Sequence, residues 1–144
     1  MEATCNPLAE VFVDTGFAVV LASRRDQHHQ RAVELAARVK ANAAQLVTTQ
    51  AVVLEIGNSL SKRNHRQAAV QLITSLQADP TVEIVPFDDN LFDKSFALFR
   101  GRADKEWSLT DCMSFVLMEA RMISDALTPD EHFTQAGFNA LMRD

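Results

Sequence analysis

What this chain lacks narrows it first. Among its 144 residues are only two cysteines, four glycines and four prolines, and there is no tyrosine. Two cysteines, Cys5 and Cys112, are too few for a disulfide-stapled scaffold, and they form no zinc-site spacing. Scarce glycine and proline beside 47% hydrophobic residues exclude a disordered or fibrous chain. No apolar run approaches the roughly 18 residues of a membrane span. No basic stretch followed by an apolar block marks a signal peptide, so the cytoplasm is the expected compartment. A basic excess is missing too, and the net charge of −5 argues against a broad basic face that grips nucleic acid. Nucleic acid stays open as a partner, because a cation held among acids cancels several of them locally.

The length suits one domain, residues 1–144, with 1–8 as a loose lead-in. Glu10–Asp14 is a β-branched and aromatic run that reads as a buried strand. A short helix is expected from Thr15 to Ser23. Asp26 should cap a longer one over Gln27–Ala43, with Val33, Leu35, Ala36 and Val39 on its buried side. Leu46–Thr48 reads as a strand, Gln50–Lys62 and Arg66–Gln77 as helices, and Asp79-Pro80 as the break after them. Val82–Val85 is a third strand. Asp88-Asp89 opens a helix to Phe99, Gly101–Glu106 is a charged loop, and Ser108 starts another helix. Ile123–Leu127 reads as a fourth strand, Pro129–Gln135 as a helical turn or two, and Phe138–Met142 as a last strand. Strands alternating with helices give an α/β fold whose parallel sheet of about four or five strands carries helices on both faces.

Four acids stand in awkward places: Asp14 after Val-Phe-Val, Glu55 within Val-Val-Leu-Glu-Ile, Asp111 in Trp-Ser-Leu-Thr-Asp-Cys, and Asp130 in Leu-Thr-Pro-Asp-Glu-His. Three have a structural explanation. Asp14 could cap a helix, and Ser108-Leu-Thr-Asp111 fits a capping box. Thr128-Pro-Asp-Glu131 fits one too, with Pro129 at the first helical position. Glu55 resists such a reading. It lies mid-helix at the edge of the Val53, Ile56 and Leu60 stripe, with no basic residue three or four positions away. A remote arginine or a cation must satisfy it. Carboxylates gathered by the fold repel one another unless a cation sits among them. A set of three or four acids, with no histidine or thiolate beside it, suits Mg²⁺ or Mn²⁺ and not zinc. His28-His29 lack zinc-helix spacing, and His65 and His132 read as surface or packing residues. There is no glycine-rich phosphate loop, no Ser-x-Gly elbow and no aromatic stacking row. The basic groups Arg24-Arg25, Lys62-Arg63 with His65-Arg66, and Arg100, Arg102 and Lys105 read as solvated helix ends or a modest phosphate-contacting rim.

Val-Phe-Val-Asp14-Thr-Gly-Phe, Leu46-Val-Thr-Thr with Val52-Val-Leu-Glu55, Trp107-Ser-Leu-Thr-Asp111-Cys and Ala126-Leu-Thr-Pro-Asp130-Glu-His-Phe together resemble the PIN-domain family. The nearest likeness is to the VapC-type toxins of toxin–antitoxin pairs, in the family's order, from about Val11 to the end of the chain. That resemblance implies a three-layer PIN-like fold and a Mg²⁺- or Mn²⁺-dependent endoribonuclease. It also implies a cognate antitoxin that covers the site, and a homodimer. By position in the motifs, Asp14, Glu55 and Asp111 carry over as catalytic metal ligands. Asp130 carries over as the fourth acid, whose distance from the metal varies across the family. Thr15 and Thr110 would assist beside Asp14 and Asp111, and Asp104 reads as a surface residue.

Other functions compete with the nuclease. A receiver-like phosphoacceptor domain also gathers acids around Mg²⁺, but by resemblance to receivers it needs a late lysine, and none follows Lys105. A catalytically silent PIN-like module would hold RNA or protein and keep the acids as caps. A structure-specific DNA nuclease would want an added DNA-clamping region.

Overall fold

The computed structural model describes residues 9–143. The lead-in expected over 1–8, with Cys5 in it, lies outside the described residues. In chain order the elements are β1 (Glu10–Val13), α1 (Thr15–Leu21), α2 (His29–Ala41), β2 (Gln45–Thr49), α3 (Gln50–Ser59), α4 (Arg66–Ala78) and β3 (Val82–Val85). They continue with α5 (Asp89–Gly101), α6 (Leu109–Ala120), β4 (Asp125–Leu127), α7 (Glu131–Gln135), β5 (Asn139–Ala140) and a 3₁₀ turn over Leu141–Arg143. The five strands form one all-parallel sheet in the order β3-β2-β1-β4-β5. Parallel neighbours need crossover connections, and the helices provide them while covering both faces of the sheet.

The period-two alternation of β1 divides the core. Val11 and Val13 pack with Leu46, Leu127 and the α1–α2 residues Phe17, Val20, Leu35 and Val39. Phe12, between them, joins Val47 and Ala126 in a second cluster with Ile56 of α3, Phe115 and Met118 of α6, and Phe133 of α7. Phe115 meets both Trp107 and Phe133 edge-on at 5.0 Å. Phe12 and Phe133 are wholly buried, and each such side chain is worth roughly 1.5–3 kcal/mol of transfer free energy.

Several expected boundaries move for local reasons. α2 starts at His29 instead of Gln27, because the Asp26 carboxylate accepts the His28 N–H at 2.8 Å and shapes the preceding turn without capping the helix. Its buried side is Ala32, Leu35 and Val39, whereas Val33 is 40% exposed. A step of 100° from Ala32 carries Val33 off the buried stripe. β4 starts at Asp125 instead of Ile123, since the intervening residues close α6. Met122 takes a left-handed φ of 56°, the Ile123 N–H donates to the Met118 carbonyl, and the Met122 N–H to that of Glu119. Ala43 closes α2 by the same device, with φ 53° and the Ala44 N–H on the Val39 carbonyl. The last strand is only Asn139–Ala140, and the chain then turns into 3₁₀ geometry in place of continuing to Met142.

Candidate active site

The strand order sets the location. β1 lies at the centre, the chain winds from it through β2 to β3, and then returns to β4 on its other side. Between β1 and β4 the winding direction reverses, which leaves a crevice outside their carboxyl ends. Asp14 follows the last residue of β1, and Thr128-Pro-Asp130 follows β4 directly. β2 ends at Thr49, whose hydroxyl accepts the Val52 N–H at 3.1 Å and starts the helix that carries Glu55. The fully buried Thr48 ties the two strand ends by donating to the Val13 carbonyl at 2.7 Å.

Asp14 occupies the N-cap position of α1, but its side chain accepts no capping hydrogen bond there. Its Oδ2 accepts instead from the Thr128 hydroxyl at 2.8 Å. Thr128 is fully buried, and its Oγ1 also accepts the Asp130 N–H at 3.1 Å, so one hydroxyl joins the two strand-end acids. Asp14 is only 5% exposed. Burial pushes its carboxyl up to about 7, and the negative charges of Asp111 and Glu55 add to this, against the lowering effect of the Thr128 and Thr15 hydrogen bonds.

Asp111 has two roles. The Ser108 hydroxyl accepts the Asp111 N–H at 2.9 Å and the Asp111 carboxylate accepts the Ser108 N–H at 3.1 Å, which completes the expected capping box. The same Oδ2 also lies 3.0 Å from Nδ1 of His132. Burial raises the Asp111 carboxyl, with a contribution from Asp130, and the Ser108 and His132 hydrogen bonds oppose it. The capping box expected over Thr128–Glu131 is absent. Asp130 itself is the N-cap of α7, its Oδ1 accepting the His132 N–H at 2.9 Å, and Pro129 stands before the helix. The Thr128 hydroxyl is already engaged with Asp14.

His132 is no surface or packing residue, and the carboxylate site does have a histidine beside it. Its Nδ1 sits 3.0 Å from Asp111 and 3.4 Å from Asp130. Ligand atoms of Asp111, Asp130 and His132 all lie within 4.8 Å of one another. Burial works against the imidazolium, but the Asp111 hydrogen bond and the charges of Asp130, Asp111 and Glu131 outweigh it and raise the His132 pKa. The available signal was spacing: a histidine two residues after a cap acid reaches back over the helix start.

All four acids line one open cleft of about 450 Å³, together with Thr15 and Ser59. Asp14 and Glu55 stand outside the tight Asp111–Asp130–His132 group, and Asp14 senses the charges of both Asp111 and Glu55. No ion pair among the described residues involves Glu55, so the remote arginine is not there. The Thr15 hydroxyl is buried and has no hydrogen-bond partner among the described residues. Thr110 does not line the cleft, and Asp104 is an exposed partner of Arg102. A PIN domain family model matches residues 11–139.

The chain belongs to the PIN-domain family.

Within the PIN domains it is similar to the 23S rRNA-specific endonuclease VapC20 of two strains of Mycobacterium tuberculosis. Each is 30% identical over 129 residues, which cover 89% of this chain and 95% of the relative. The crystal structure of M. tuberculosis VapC20, a sarcin–ricin loop cleaving toxin, superimposes with a TM-score of 0.78 at 26% identity over the same shares of the two chains. In this PIN domain the donor set fits a hard divalent cation. Two buried carboxyls are held above their ordinary range and the unpaired Glu55 lines the same cleft with Asp130, an oxygen donor set suited to Mg²⁺ or Mn²⁺, while His132 Nδ1 is engaged by Asp111.

Proposed function

We propose that this PIN domain is a divalent-metal-dependent endoribonuclease and acts as the toxin of a toxin–antitoxin pair. One observation carries the reading: acids from four distant segments line a single cleft at the sheet's switch point, where their charges oppose one another without a cation. Asp14, Glu55 and Asp111 would hold Mg²⁺ or Mn²⁺, with Asp130 as the fourth acid. A cation bound there supplies water activation and neutralises charge developing on a phosphodiester. The chain's own residues do the positioning. Thr128 holds the Asp14 carboxylate in the cleft, the capping box fixes Asp111 on α6, and His132 bridges Asp111 and Asp130. Similarity to VapC20 supports RNA as substrate and a cognate antitoxin as partner. It supports no specific cleavage sequence. We propose a homodimer in the cytoplasm; no helix among the described residues is long and apolar enough to cross a membrane.

A silent RNA- or protein-holding module is the second reading, because Asp111 and Asp130 already have complete cap roles. Incubating the purified protein with RNA in Mg²⁺ or Mn²⁺, and separately in EDTA, separates the two. Internal cleavage that needs the metal and disappears in Asp14→Asn and Asp111→Asn is expected. Intact RNA under every condition, or variants that cut as well as the wild type, would sink the nuclease. Single-stranded DNA as a parallel substrate tests the RNA preference.

A further inference from the structure

The charged loop between α5 and α6 is tied into a fixed shape. The Lys105 N–H donates to the Arg102 carbonyl at 3.0 Å and closes a turn over residues 102–105. The turn brings Asp104 back onto Arg102, whose Nε and Nη2 donate to its two carboxylate oxygens at 2.9 and 3.0 Å. The same guanidinium lies over the Trp107 ring, 4.9 Å from its centroid. Trp107 is itself anchored. It is only 6% exposed, its Nε1–H donates to Oε1 of Gln135 at 3.0 Å, and its ring meets Phe115 edge-on. The indole thus covers one face of the guanidinium and Asp104 occupies one edge, yet 41% of the Arg102 side chain stays exposed. What it offers to solvent is its other flat face.

This arrangement stands next to the cleft. The Ser108 N–H, on the peptide that follows Trp107, donates to Asp111 Oδ2 at 3.1 Å, so the Trp107 Cα lies within about 5.5 Å of that oxygen. Arg102 does not line the cleft itself. It stands at the rim, in reach of a base a nucleotide or two from a phosphodiester held at Asp111. As a phosphate clamp it would be poor, because Asp104 already matches its charge and repels a second anion. A flat guanidinium face suits a π system instead, since unpaired RNA bases stack on arginine planes as they do on aromatic rings. A face already ordered by Trp107 and Asp104 has little side-chain freedom left to lose on binding.

We propose that Arg102, backed by Trp107 and held by Asp104, is a stacking platform for one unpaired base of the RNA beside the cleft. The proposal rests on the ribonuclease reading and adds a contact that fixes where the strand lies. Fluorescence anisotropy with the full chain tests it, in Mg²⁺ and with Asp14→Asn present throughout so that the probe is not cut. The probes are oligouridylates of equal length whose central nucleotide is either an adenosine or an abasic ribose. With Arg102 intact, the adenosine strand should bind roughly five- to tenfold more tightly, as loss of one stacked base costs. Arg102→Ala should remove that preference and leave the dependence of log Kd on log salt unchanged. Arg102→Lys should behave like Arg102→Ala, because it keeps the charge and loses the plane. Circular dichroism checks that each variant folds. Binding by Arg102→Lys equal to that of arginine overturns the platform, as does a salt slope lowered by about 0.7 in Arg102→Ala, the mark of a lost phosphate contact. A preference that survives both changes, with only Tm reduced, assigns the pair to loop rigidity and overturns it too. The two readings fail separately. An Arg102-dependent preference in a protein that never cuts RNA in Mg²⁺ removes the nuclease and leaves the platform, whereas cleavage with no such preference removes the platform alone. No RNA binding at all removes both.

Discussion

Replacing Asp14 by asparagine should stabilise the metal-free protein by an amount that grows as pH rises from about 4 to about 7. Burial lifts this carboxyl from its ordinary 3.8 to about 7. Between those values the unfolded chain gives up the proton while the folded chain keeps it, so folding stability falls as pH rises, by about 1.4 kcal/mol per pH unit. The penalty is absent below about pH 4 and reaches roughly 4 kcal/mol above pH 7. Asparagine has the same size, accepts the Thr128 hydroxyl with its amide oxygen, and does not titrate. Any fixed cost of the new amide cancels when two pH values are compared, and the titrations of Asp111 and His132 are common to both proteins. Relative to wild type the variant should therefore gain roughly 2–3 kcal/mol between about pH 5 and about pH 8. For a chain of this length that corresponds to roughly 5–10 °C in Tm. Thermal unfolding in EDTA at the two pH values measures it. Adding Mg²⁺ should then stabilise the wild type and leave the variant nearly unmoved. An offset between the two proteins that does not change with pH would refute the reasoning.

The same protonation links metal binding to pH: Mg²⁺ affinity measured by titration calorimetry should rise between about pH 6 and about pH 8, with proton release visible as a buffer-dependent heat. An affinity independent of pH would mean that Asp14 is already ionised or does not bind. Thr128→Val removes the hydroxyl between Asp14 and Asp130; it should cost about 1–3 kcal/mol of stability and weaken the Mg²⁺-induced rise in Tm, while Thr128→Ser keeps both. Gly16→Ala would bring a Cβ within 2.9 Å of the Pro129 ring, so α1 and the Asp130 segment must separate, with a loss of roughly 1–3 kcal/mol and of cleavage. Arg121→Ala breaks a bidentate pair with the half-exposed Glu83, and denaturant unfolding should show a loss of no more than about 1 kcal/mol, because solvent screens the pair.

The fold was readable where local chemistry is strong. Val-Phe-Val before Asp14 can only be a buried strand, Asp79-Pro80 must break a helix, and Ser108 with Asp111 closes a capping box. Boundaries moved where left-handed alanine and methionine end helices, since Ala43 and Met122 carry no glycine-like signal in the sequence. Glu55 stood out because nothing on its own helix could pair with it, and the structure supplies no remote partner among the described residues. His132 was not readable, because its importance depends on α7 meeting the start of α6, a contact between residues 21 positions apart. Thr128 was missed for a similar reason: its local sequence fits a cap, and only the adjacency of β1 and β4 gives its hydroxyl to Asp14. The placing of Arg102 over Trp107 likewise needs the turn between α5 and α6 closed before the two side chains meet.

The central claim is that acids from four separate segments share one divalent cation. Anomalous diffraction from crystals of the wild-type protein grown with Mn²⁺ tests it most directly. The expected result is a manganese peak within coordinating reach of Asp14, Glu55 and Asp111, with Asp130 directly or through water. Absence of a peak from the cleft at saturating Mn²⁺, or an ion held by Asp111, Asp130 and His132 with Asp14 and Glu55 uninvolved, would contradict it.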